Sequence, residues 1–235
     1  MNISSHFQIH TKLNPTLWEN GILKPDVAKR LLTIANDFLE YVGIPLKIQD
    51  IVITGSMANF NYTKYSDIDL HIILDFALVN QNTDLVSEFL LAKRSLWNDK
   101  HKIMIGEHEV EVYPENAGEV HHSTGIYSLI QNDWIRKPIG KTPDKVIDTY
   151  AINTKVNDLM HQIDETLSLP PANKLLAITE LKEKIKKMRK CGLQMNGEYS
   201  VENLTFKVLR NTGYIQKLWD GASEAKNQIL SLDSA

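Results

Sequence analysis

The sequence predicts an α+β protein: a small sheet with flanking helices, followed by an all-helical C-terminal domain. Three observations carry this. Ile51-Val52-Ile53 and Ile68–Leu74 are short apolar runs of strand length on either side of a polar loop. Apolar residues recur at helical spacing before and after that pair. Beyond Pro143 the only pattern left is helical. The expected divisions are an arm over 1–24, a core over 25–115, a connector over 116–142 and a helical domain over 143–235.

Residues 1–24 contain Phe7, Ile9, Leu13, Leu17 and Trp18 without a clean period, which predicts an irregular arm with a short turn. Lys24-Pro25-Asp26 opens a helix, with Pro in the tolerated first turn and Asp near the positive end. Val27, Leu31, Ile34, Phe38, Leu39 and Val42 form its stripe, and Gly43 with Pro45 ends it. After the strand pair, Asn82-Thr83-Asp84 to Trp97 predicts a second helix with Leu85, Phe89, Ala92 and Leu96 buried. Lys93 and Arg94 lie off that stripe, as solvated cations or as phosphate contacts. Ile103–Ile105, the turn Gly106-Glu107 and His108–Tyr113 read as a hairpin closed by Pro114.

The connector is rich in Pro and Gly, with one short helix expected near Ile126–Trp134. His121-His122 read as loop residues, because adjacent side chains point apart on either regular element. Helices are expected over Val146–Leu167 and Asn173–Lys190, the first broken by Pro170-Pro171. Ile178, Leu181, Ile185 and Met188 form the buried stripe of the second, and Gly192–Gly197 is a break. Ser200 caps a third helix that pauses at Gly213 and resumes.

At 235 residues the chain can bury a substantial core. Cys191 is the single cysteine, which excludes an intrachain disulfide and a thiolate zinc cluster. No apolar run reaches the ~20 residues of a membrane span, and no secretory-type start is seen, so the expectation is a cytoplasmic protein. The net charge of −3 argues against a general nucleic-acid coat. It is unevenly spread. Residues 170–235 carry 11 Lys+Arg against 7 Asp+Glu, and residues 1–169 carry 15 against 22. A basic C-terminal half suits an anionic substrate, and a helical domain with solvated lysines explains it equally well.

The stretch with chemistry in it is Thr54-Gly55-Ser56, ten residues, then Asp67-Ile68-Asp69-Leu70. Gly55 permits a sharp turn and close approach. Ser56 is expected to cap the segment Met57–Phe60, whose free N–H groups would seat a phosphate. Asp67 and Asp69 are two apart on a strand and leave the same face, while Ile68, Leu70, Ile72 and Leu74 leave the other. Two such carboxylates repel unless a cation lies between them, and hard oxygens suit Mg²⁺. Glu109, Glu111 and Tyr113 likewise share one face, with Val110 and Val112 on the other.

This Gly-Ser and Asp-x-Asp arrangement, both halves in strand context, resembles the signature of the DNA polymerase β-like nucleotidyltransferase superfamily. The resemblance covers about residues 25–115 and implies a small mixed β-sheet. It implies Gly55 and Ser56 on the triphosphate, and Asp67, Asp69 and a third carboxylate holding two Mg²⁺ ions, with Mn²⁺ as an expected substitute. Glu111 in Val-Glu-Val-Tyr matches the third position best and Glu109 is the alternative; Glu departs there from the commoner Asp. The segment Glu198–Leu204 with Phe206-Lys207 and Arg210 resembles, more loosely, the closing segment of uncharacterised phage and bacterial nucleotidyltransferases. Lys207 and Arg210 become candidates for the triphosphate or the acceptor, and a phage protein would work in the host cytoplasm. The implied reaction moves a nucleoside monophosphate from a nucleoside triphosphate to a hydroxyl, with release of pyrophosphate. RNA, a protein and a small molecule stay open as acceptors, as does a degenerate, antitoxin-like binding module.

Overall fold

The computed structural model describes residues 6–119, 123–140 and 147–232. His121, His122 and Val146 lie outside the described residues. The chain divides into two compact units, residues 8–142 and residues 1–7 with 143–235.

In the first unit a hairpin of β1 (Trp18–Glu19) and β2 (Ile22–Leu23) precedes α1 (Pro25–Val42). Pro25 sits in the first turn and Gly43 closes the helix in the left-handed region at φ 78°, its N–H donating to Leu39 O. Then come β3 (Ile48–Thr54), β4 (Ile68–Leu74), α2 (Thr83–Lys100), β5 (Met104–Ile105), β6 (His108–Asn116), β7 (Ile126–Ser128) and β8 (Asp133–Arg136). Among the described residues these last six strands form one mixed sheet in the order β5-β6-β4-β3-β7-β8. Only β4 and β6 run parallel, with α2 as their crossover.

Strand β4 alternates as its sequence demands: Ile68, Leu70, Ile72 and Leu74 are buried and the residues between them are half-buried. The buried face joins Leu31, Ile34, Ala35 and Phe38 of α1 and Val86, Leu90 and Trp97 of α2 in one core. The opposite face carries Asp69, His71, Glu111 and Tyr113.

The arm is mostly irregular apart from its hairpin of two-residue strands, yet Leu17, Trp18 and Leu23 are core residues, and Trp18 stacks on Trp134 at 4.7 Å. Three expectations fail here. Ile126–Trp134 is not a helix but strand β7 and the start of β8; Val52 and Ile53 pair with Ser128 and Tyr127, so open backbone on β3 claims the segment. On α2 the stripe Leu85, Phe89, Ala92 and Leu96 is exposed, and Val86, Leu90 and Trp97 are buried instead. Both sets have helical spacing, and the sheet chose the one that carries Trp97. Finally, Pro114 does not close β6, which runs on to Asn116. The outer edge of β6 at Val112 is bonded by the Asn98 side chain rather than by a strand. Pro114 presents its nitrogen to that same edge, where no ladder bond is lost.

The second unit holds α3 (Thr149–Leu167), α4 (Pro171–Asn196), α5 (Val201–Asn211) and α6 (Tyr214–Leu230). Ile178, Leu181 and Ile185 of α4 pack with Ile152, Val156 and Leu159 of α3, Leu204 and Val208 of α5 and Leu218 of α6. Ser200 Oγ caps α5 by accepting from Asn203 N at 3.2 Å. Gly213 at φ 80° separates α5 from α6. Gly192 does not break α4. A Cβ there would lie 2.5 Å from Glu202 Cβ, so this glycine serves close packing of α4 on α5.

Candidate functional site: a glycine turn against a strand carboxylate

Strand β3 ends at Thr54, which pairs with Asp69 across the antiparallel ladder. The next residue, Gly55, has φ 71° and ψ −158°, a backbone state that L side chains rarely adopt. A Cβ on Gly55 would lie 1.8 Å from Asp69 Oδ2. The glycine is therefore what lets the carboxylate rest against the turn. On the other side of Asp69, Glu111 of β6 is its register partner in the parallel pair. In-register neighbours leave the same face of a sheet, so Asp69 and Glu111 stand side by side, with Gly55 against Asp69. Asp67 immediately precedes β4, and all three carboxylate residues are half-buried. Glu109 lies two residues before Glu111 on the same face and pairs with Met104 of β5. Among the described residues, no three His, Cys, Asp or Glu side chains converge as a group able to hold a metal by themselves.

Ser56 does not cap. The 3₁₀ turn Ser56–Ala58 has no side-chain cap, and Ser56 Oγ instead donates to Ser66 Oγ at 2.8 Å. That bond joins the two ends of the ten-residue loop just before Asp67. Ser66 Oγ also accepts from Thr63 N at 2.9 Å, so the loop is pinned at its exit. Gly55 N–H donates to Ser123 Oγ at 3.3 Å, and Ser123 Oγ donates to Gly125 O at 2.8 Å. A Cβ on Gly125 would meet Ala58 O at 2.0 Å, so a second glycine seats the 123–125 segment on the turn.

The arm supplies the loop's outer support, which the aperiodic sequence gave no sign of. His108 Nδ1 lies 2.7 Å from Ser66 O. A carbonyl only accepts, so Nδ1 carries the proton and Nε2 accepts from Asn14 Nδ2 at 3.1 Å. Trp18 Nε1 donates to Met57 O at 2.7 Å. His10 stacks on Tyr62 at 3.8 Å, and its N–H donates to Phe60 O at 2.7 Å. Three arm residues, His10, Asn14 and Trp18, thus grip the loop from Met57 to Ser66 together with His108 of β6.

Further along the same face, His71 and Tyr113 are register partners with ring centroids 5.0 Å apart. His71 Nδ1 donates to the buried carboxylate of Glu115 at 2.6 Å. The Arg94 guanidinium lies 4.5 Å from the Tyr113 ring centroid. Lys93 lies over Tyr41 at 4.9 Å. Glu115 escaped the sequence reading because Pro114 was expected to end the strand, although 109, 111, 113 and 115 keep one alternation.

Lys207 and Arg210 belong to α5, in the helical unit. Lys207 is half-buried, and burial holds its ammonium below its ordinary value while Glu198 opposes that shift. Arg210 and Arg189 depress it further. Burial raises Glu198, against the pull of Lys207. Tyr199 is pushed up to about 12, first by burial and then by Glu198.

Among the described residues no helix is long and apolar enough to cross a membrane. No curated protein and no solved structure matches the chain. Residues 33–116, from the middle of α1 through the end of β6, match the family model described as a nucleotidyltransferase domain. That stretch contains the Gly55 turn and all the strand carboxylates beside it, and its match to a nucleotidyltransferase domain is consistent with a polymerase β-like nucleotidyltransferase superfamily.

Proposed function

We propose that the protein transfers a nucleoside monophosphate from a nucleoside triphosphate to an acceptor hydroxyl and releases pyrophosphate. The observation that supports this most is the fit of Asp69 against Gly55 with Glu111 in register beside it, inside the matched family stretch. The donor set suits Mg²⁺, which takes one or two carboxylates together with substrate phosphates and does not need an all-protein cage. Asp67 and Asp69, joined by Glu111, would hold it once the triphosphate arrives. Bound there, the cation neutralises charge on the triphosphate and makes the acceptor hydroxyl easier to deprotonate.

The chain's own residues then have separate tasks. Gly55 N–H and the Ser56 hydroxyl, kept in place by Ser123 and Ser66, would donate to phosphate oxygens. Glu111 would accept the proton of the hydroxyl as its oxygen bonds to the α-phosphorus. The α-phosphorus bond to the bridging oxygen breaks, and that electron pair leaves with pyrophosphate. Lys207 and Arg210 are secondary candidates for phosphate contacts, on the strength of their charge. RNA is the acceptor favoured by the basic C-terminal half; a protein or small-molecule adenylyltransferase uses the same carboxylates.

The test is incubation of the protein and Mg²⁺ with each labelled ATP, CTP, GTP and UTP, in the presence of total RNA and cell lysate. Label in a polynucleotide, a polypeptide or a small molecule assigns the acceptor. No label in any fraction, with nucleotide still bound, would overturn transfer and leave a binding module.

A further inference from the structure

Cations surround α4, and three of them fall in line along it. Lys182, Lys186 and Arg189 are spaced by four and three residues and so share one face of the helix. Lys184 leaves that face to donate to Gln162 of α3 at 2.6 Å. Lys187, one residue beyond Lys186, turns about 100° away by helical geometry. Each end of the stripe meets an aromatic ring from another helix. Lys182 Nζ lies 4.3 Å from the ring centroid of Trp219 on α6. The Arg189 guanidinium lies 4.3 Å from that of Phe206 on α5.

The stripe continues onto α5. Arg189 Nε donates to Asn203 Oδ1 at 3.3 Å, and Asn203, itself buried, donates from Nδ2 to Glu198 O at 2.7 Å. Lys207 and Arg210 follow Asn203 at spacings of four and three, on its side of α5. Arg189, Lys207 and Arg210 feel one another: each of the first two is held below its ordinary value by burial first and by neighbouring positive charge after it. Glu183, 3.7 Å from Lys186, and Glu198 are the carboxylates set against them. Five cations against two carboxylates, assembled from two helices, form an arrangement that an extended polyanion relieves. The Trp219 side of the stripe adds a large exposed ring, 58% accessible, in a position where a solvated helix has no use for tryptophan.

We propose that this face of the helical unit binds single-stranded polynucleotide, with phosphates on Lys182, Lys186 and Arg210 and a base stacked on Trp219. From Lys182 to Arg189 the stripe spans about 10 Å at 1.5 Å per residue, the reach of more than one backbone phosphate and longer than a point contact to one triphosphate needs. Cations that track a backbone beside exposed rings are the general means of holding single strands. The inference extends the nucleotidyl-transfer reading by naming a polynucleotide as acceptor, but binding requires neither metal nor triphosphate and is tested without them.

The test is fluorescence anisotropy of the full chain with a labelled 12-nucleotide oligouridylate and with a duplex of mixed sequence, in EDTA, over a range of KCl. Single strand is expected to bind more tightly than duplex. Lys182→Glu with Lys186→Glu should weaken it at least tenfold and flatten the log–log salt slope by about 1.4, two contacts at about 0.7 each. Trp219→Ala should weaken it about fivefold or more. Lys187→Glu, and Lys29→Glu with Lys47→Glu in the other unit, should leave it within about twofold. Unchanged binding in the double reversal with far-UV circular dichroism intact, or equal loss in Lys187→Glu, overturns the assigned face. Binding only to an acidic polypeptide such as polyglutamate overturns the ligand class. The same titration in Asp67→Ala with Asp69→Ala separates the two readings: oligonucleotide binding should persist there, whatever becomes of transfer.

Discussion

On the sheet of residues 8–142, like charges are set side by side by backbone register: Asp69 opposite Thr54, Glu111 beside Asp69, and Gly55 against Asp69. In the helical unit, like charges are carried on long side chains laid over rings, Lys182 on Trp219 and Arg189 on Phe206. The first arrangement fixes its oxygens through main-chain ladders and a turn that no Cβ can enter. The second leaves its cations on flexible stems that can follow a partner. Short acids on strands suit a task that depends on geometry, and long bases on helices suit one that depends mostly on charge. Substitutions should accordingly be far more damaging on the sheet than on the helices.

The largest effects are expected at the paired aspartates. Asp67→Ala and Asp69→Ala should each lower transfer on the order of a thousandfold. Each removes one of two crowded negative charges, so the metal-free melting temperature should hold or rise slightly. Turnover at the wild-type rate in either variant would remove the carboxylates from the mechanism. Next comes Glu111→Gln, expected to cost about a hundredfold in kcat with little change in nucleotide affinity, as loss of a proton acceptor does. Glu109→Gln should be mild, because its partner on β5 is Met104 rather than a carboxylate strand. The reverse ranking would shift the role to Glu109.

Gly55→Ala tests the turn itself. The left-handed backbone and the contact with Asp69 Oδ2 should together cost about 1–3 kcal/mol of stability, read as a lowered melting temperature. The double variant Gly55→Ala with Asp69→Ala removes the clash and should recover part of that loss. No recovery would mean that the strain lies in φ alone.

The smallest effect belongs to the helical unit. Burial raises the Glu198 carboxyl above its ordinary value of 4.5. A group raised in the folded state contributes stability at low pH that is lost as pH climbs through its folded value. Stability of the wild type relative to Glu198→Gln should therefore decline as pH rises above about 4.5. A difference that is flat with pH in chemical denaturation would show Glu198 to be well solvated.

How much of this was legible in the sequence depends on whether the determining contact is local. Gly55 and Asp69 stand within fifteen residues, and spacing alone placed one on a turn and the other on a strand, with Asp67 just before that strand. The α1 stripe and the Ser200 cap are equally local and were readable for the same reason. On α2 two apolar stripes share one period, and only the sheet decides between Leu85 and Val86. The 126–136 segment is a hairpin because β3 has backbone to satisfy, a demand written far upstream at Val52, the partner of Ser128. Glu115 was lost to a proline whose missing N–H falls on an edge where no strand needs it.

The arm's grip on the loop has a consequence for the order in which the protein becomes competent. Asn14 and His108 are separated by 94 residues and Gly55 and Ser123 by 68, yet both pairs pin the same turn. A ribosome that has released α1 and both strands has delivered Gly55, Ser56, Asp67 and Asp69, and still the turn lacks its clasp from His108 and Ser123. Closing chain lengths of this size is entropically slow compared with forming either neighbouring helix. The Gly55 turn is thus expected to be among the last parts of its unit to set. Pulse-labelled amide exchange should find the N–H groups of Gly55 and Thr63 protected later than those of α1.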